Sequence, residues 1–194
     1  MPVFWRRICV FIFSLLPLIW IFYKAASNAL GADPQKAVVL FTGTWAFYFL
    51  LITLAVSPLK RLAKQHWLMP HRRMLGLFVA FYALLHVAAY LVFMLGLDFS
   101  SFTKELIERP YILLTIPAVF LLLLMAITST KVMMKKLGKH WVRLHQSIYL
   151  VAVLAWLHVL LQVRSSYADA VVFGSLVFVL LGKRIVWRLK KSAR

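Results

Sequence analysis

Six histidines carry most of the chemistry this sequence can offer: His66, His71, His86, His140, His145 and His158. Two of them, His86 and His158, fall deep inside long apolar runs. An ionisable side chain at such depth is expensive in hydrocarbon and marks a candidate functional site. Neutral imidazole is a good axial ligand for haem iron, so two rings at one level could clamp a porphyrin as a haem b. A simpler reading stands beside it. Tyr82 and Tyr90 flank His86 by one helical turn, and Gln162 lies one turn beyond His158, so hydrogen bonds could satisfy both rings without a metal. Spacing alone leaves the two readings level.

His145 lies thirteen positions before His158, a separation at which one helix can ligate two stacked haems, although at about 100° per residue the two point roughly 140° apart. Its partner would be expected near Arg72 or Arg73, which stay protonated and cannot ligate iron. His71 is one position further and could reach, so a second, inner haem is left open. Otherwise His145 and His71 are haem or flavin contacts near the interface. His66 and His140 sit in basic loops and are expected to be solvated. Arg72, Arg73, Lys139 and Arg143 could cradle an anionic cofactor such as a flavin phosphate, or simply anchor the chain to anionic lipid. The single cysteine, Cys9, excludes a thiolate-held iron–sulfur cluster and haem attached through C-x-x-C-H.

The elements that must position these groups are helices in a bilayer. The chain has 194 residues, 63% hydrophobic and 14% charged, with mean hydropathy +0.87. A soluble domain carries about 25% charged residues. The apolar residues form six blocks, at about 8–23, 37–56, 74–97, 111–130, 147–163 and 168–182, most near the ~20 residues that cross a bilayer. The last is short and is expected to continue through Ile185–Leu189. Pro58 is read as closing the second block, Pro110 as opening the fourth, and Pro17 and Pro117 as kinking the blocks that contain them. Arg6 and Arg7 before the first block resemble a secretory leader, but Lys24 and Asn28 stand where cleavage needs small neutral residues.

Charge sets the orientation. The net charge is +18, and the basic residues cluster in short gaps between apolar blocks, which favours a membrane protein over a nucleic-acid binder. With the N-terminus inside, 18 Lys and Arg and no acid fall on the cytoplasmic side. The other five, Lys24, Lys36, Lys104, Arg109 and Arg164, lie outside with all five acids, Asp33, Asp98, Glu105, Glu108 and Asp169. The expectation is an all-α, six-helix, multi-pass bundle over residues 1–194, one domain, both termini cytoplasmic. The third and fifth helices then both run outward. His86 sits about 18 Å along one from Met74 and His158 about 19.5 Å along the other from His145, nearly level.

The chain also resembles a known family. Leu30–Lys36, Phe41–Gly43, Ser57–Leu59, Arg72–Leu77, Lys104–Leu113 and above all Thr128–His145 (TSTKVMMKKLGKHWVRLH), followed by His158, are similar to the MsrQ (YedZ) family. These are haem-binding membrane subunits of protein-methionine-sulfoxide reductase systems, within the wider ferric-reductase-like transmembrane superfamily. The resemblance runs nearly the whole length. It implies a b-type haem on His86 and His158, an FMN, a bacterial inner-membrane location, and electron delivery to a periplasmic molybdopterin methionine-sulfoxide reductase. Arg72 departs from the superfamily's second histidine on the third helix. With no G-x-G-x-x-G and no room for a dinucleotide-binding domain, a cytoplasmic flavin reductase or membrane quinol is expected as donor. The competing functions are a stand-alone ferric or quinone reductase, and a small transporter subunit with histidine proton relays. The second is disfavoured because no acid lies deep in a span.

Overall fold

The computed structural model describes residues 3–64, 66–163 and 167–192. Arg164 and Arg194, both counted in the charge reading, lie outside them. The described residues are helical and contain no strand. In order they form α1 (Val3–Ala26), α2 (Pro34–Leu62), a 3-10 turn (His66–His71), α3 (Arg72–Ala89) and a π-helical segment (Tyr90–Met94). There follow α4 (Phe102–Glu108), a 3-10 turn (Pro110–Ile112), α5 (Thr115–Ile127), α6 (Lys131–Leu137), α7 (Lys139–Gln146), α8 (Ile148–Gln162) and α9 (Ala168–Ser192). Six helical stretches among these residues are long and apolar enough to cross a membrane. Only 17% to 44% of each stretch is buried, and large side chains such as Phe13, Phe22 and Phe120 are exposed. Water would not tolerate so much apolar surface; lipid does.

The chain divides into two compact units, residues 1–53 with 67–105 and residues 54–66 with 106–194. In the first, α1, α2 and α3 pack through aromatic rings. Phe49 stacks on Tyr82 and Phe78, with centroids 5.2 and 5.5 Å away, and Phe11 meets Phe78 at 5.5 Å. Tyr82 is fully buried, and its hydroxyl donates to the Ser14 carbonyl at 2.8 Å, which gives this phenol a partner where water cannot reach it. Between α3 and α4, Asp98 accepts from the Ser100 and Ser101 hydroxyls, which hold its carboxyl below the usual range.

In the second unit α5 and α9 pack against α8. Trp156 Nε1 donates to the Ala170 carbonyl at 2.9 Å, and Gly174, one turn further along α9, lets the indole lie against the backbone. A Cβ at position 174 would fall inside the contact distance of that ring. Gly174→Ala is therefore expected to cost about 1–3 kcal/mol by overpacking. Thermal unfolding in detergent measures this, and an equal loss in a Trp156→Leu background would refute the steric cause.

Three expectations need correction. Pro58 does not close the second helix, because α2 runs on to Leu62. Proline at 58 removes the donor for the Leu54 carbonyl. Arg184 Nη2 supplies the replacement at 2.6 Å, while Nη1 bonds the Tyr149 hydroxyl and the guanidinium lies over that ring. The missing bond is made from α9, so the helix continues. Arg184→Met should cost about 1–3 kcal/mol through the orphaned carbonyl, and Pro58→Ala should recover that part by restoring the helical N–H. A double-mutant cycle by denaturant unfolding decides this; zero coupling would break the link.

Second, Pro117 does not lie mid-helix. α5 starts at Thr115, so Pro117 falls in its first turn, where its missing N–H costs nothing. Third, the stretch 131–146 is no plain loop. Thr130 caps α6 by accepting from the Met133 N–H at 3.2 Å, and Gly138, at φ 49°, separates α6 from α7. The sixth span does continue past Gly182, as α9.

Candidate functional site

His86 lies on α3, one turn before its end, and faces α2. Its Nδ1 is 2.8 Å from the Val39 carbonyl. A carbonyl only accepts, so Nδ1 carries a hydrogen, and in an uncharged ring the lone pair is on Nε2. Gly43, one turn along α2 from Val39, is the recess that admits the ring. A Cβ there would stand 2.8 Å from Nδ1 and 2.9 Å from Cε1. The FTG stretch thus contains the residue that makes room for the histidine. The flanking tyrosines are engaged elsewhere, Tyr82 at Ser14 and Tyr90 with its hydroxyl donating to Glu105 at 2.7 Å.

His158, on α8, repeats the arrangement in the other unit. Its Nδ1 is 3.0 Å from the carbonyl of Tyr111, in the 3-10 turn before α5, and the Tyr111 ring meets it edge-on at 5.5 Å. The carbonyl again fixes the tautomer with the lone pair on Nε2. Such second partners orient metal-bound imidazoles and raise their basicity. Neither carbonyl could be foreseen from residue types. The residues present therefore fit haem iron. Each deep imidazole is held in the ligating tautomer, and a glycine recess accommodates one of them.

The remaining candidates differ. His145, on α7, stacks on Trp141 with centroids 3.9 Å apart. Its Nδ1 approaches the Trp141 carbonyl at 3.1 Å and its Nε2 the Ser129 hydroxyl at 3.4 Å. His71 precedes α3 and is buried at 1% exposure. Arg73, Lys139 and Arg143 are exposed and Arg72 is half-buried; the two arginines 72 and 73 belong to the first unit, Lys139 and Arg143 to the second. His66, in the 3-10 turn before α3, and His140, on α7, are exposed, as expected, although neither lies in a loop. No cluster of three or more His, Cys, Asp or Glu exists among the described residues; axial ligation of haem needs only two protein groups.

Residues 42–156 match the ferric reductase like transmembrane component. The chain belongs to that family. The match takes in Gly43, His71, His86 and His145 and ends two positions before His158. No solved structure matches the chain. A ferric-reductase-like domain with six membrane-capable helices is a multi-pass membrane protein whose function is electron transfer in the membrane.

Proposed function

We propose that this chain is the haem-bearing electron-transfer subunit of a protein-methionine-sulfoxide reductase system of the MsrQ type. It would sit in the bacterial inner membrane with both termini cytoplasmic. The observation that carries the reading is the shared state of two deep histidines. His86 and His158 each give Nδ1–H to a backbone carbonyl and keep Nε2 as the ligating nitrogen. We assign them as axial ligands of one haem b. The group supplies a one-electron carrier when bound. The chain's own part is to orient the rings, to hold their protons at Nδ1, and to surround the carrier with apolar side chains.

The finer assignment rests on the stretches that resemble MsrQ, chiefly Thr128–His145. It adds an FMN, a cytoplasmic flavin reductase or membrane quinol as donor, and a periplasmic molybdopterin methionine-sulfoxide reductase as acceptor. The sulfoxide chemistry would belong to that acceptor. Arg72, Arg73, Lys139 and Arg143 are the cations available to an anionic cofactor.

The test is a pyridine haemochrome assay with flavin quantification on the purified protein. A b-type spectrum with about one haem per chain is expected; a colourless preparation after haem-supplemented expression would end the reading. Capture of a periplasmic molybdoenzyme by the tagged chain separates the subunit from a stand-alone reductase.

A further inference from the structure

The ends of α1 and α3 that carry Arg6, Arg7 and His71 gather positive charge. The two helices run parallel, because Phe11 meets Phe78 and Ser14 meets Tyr82 as both numbers rise. That register places Arg6 and Arg7 about one helical turn from the level of His71, and both arginines lie close enough to act on its charge. His71 is 1% exposed, and neither ring nitrogen has a hydrogen-bond partner. Arg6 Nε is likewise buried without one. A buried polar atom left unpaired is costly and calls for a missing partner.

No acid lies in the first turn of α1, and none in that of α3, which the 3-10 turn His66–His71 leads into directly. Arg72 and Arg73 occupy the first turn of α3 instead. All five acids of the chain lie in the segments assigned to the opposite side of the membrane.

We propose that the α1–α3 end binds a phosphate-type anion, a phosphomonoester or phosphodiester, through Arg6, Arg7 and His71. Phosphate oxygens suit guanidinium forks and imidazole donors together. Trp67, half-exposed and edge-on to His71 at 6.3 Å, sets this end at headgroup level. Two sources share the chemistry, a lipid headgroup and a free phosphate compound. The inference is independent of the haem assignment.

Thermal unfolding of the full-length protein in a neutral detergent tests it, with phosphatidylglycerol or sodium phosphate titrated against sodium chloride of equal ionic strength. A saturable rise in Tm with at least one phosphate probe, absent with chloride, is expected. Saturation by phosphatidylglycerol alone assigns a lipid headgroup; saturation by inorganic phosphate assigns a free phosphate. Arg6→Gln and His71→Gln should each raise the midpoint concentration about tenfold or more. Arg6 is only half-buried, so Arg6→Gln keeps the test decisive if the His71 variant does not fold. No saturable response to either probe, or an unchanged midpoint in Arg6→Gln, overturns the proposal.

Discussion

His86→Ala and His158→Ala are each expected to abolish the b-type spectrum while leaving the chain folded in the membrane. Both rings are half-buried and give Nδ1–H to a carbonyl, so alanine removes the nitrogen proposed to hold iron and one hydrogen bond. The hydrogen bond is worth about 1 kcal/mol net, which six apolar helices can spare. The metal–ligand bond has no substitute, because the orienting carbonyls belong to backbone and cannot replace imidazole at iron. Haem content per chain after size-exclusion chromatography measures the effect. A full complement in either variant would remove that residue from the ligand pair, and loss of monodisperse protein would show a folding effect instead.

Gly43→Val should come close to the same phenotype without touching a ligand. Even an alanine Cβ would press on the His86 ring at 2.8 and 2.9 Å. The ring cannot slide away freely, since Val39 holds it from the same helix. Overpacking of this kind costs about 1–3 kcal/mol, and valine adds two further methyls. The expected result is haem affinity down by about tenfold or more for Gly43→Ala and little haem retained by Gly43→Val. Apo-protein titration with haemin measures both. Wild-type affinity in the valine variant would mean that His86 has room elsewhere and does not hold the iron.

Much of this was legible from the residues. Hydropathy located the six spans because it reports transfer free energy, and long apolar blocks leave little ambiguity. The same blocks placed His86 and His158 within membrane-capable stretches. What escaped was every feature decided by hydrogen-bond partners distant in sequence. Pro58 looks like a stop because its rescuer, Arg184, is 130 positions away. The carbonyls of Val39 and Tyr111 carry no signature, since every residue has one, and each lies 47 positions from its histidine. Helices α6 and α7 were hidden by their lysines and arginines, which read as loop until Thr130 capping and the Gly138 break give them ends. Gly43 was visible as a glycine inside an apolar helix, but only the ring beside it shows what the space is for.

The bond from Arg184 to Leu54 also constrains the history of this chain. Proline could enter α2 at 58 without harm only in an ancestor that already had a long cationic donor at 184. Descendants can discard the proline first, because the backbone then repairs itself. Discarding the arginine first leaves the Leu54 carbonyl unpaired. Among relatives, proline at 58 without a donor at 184 should be rare, while the reverse pairing should be common.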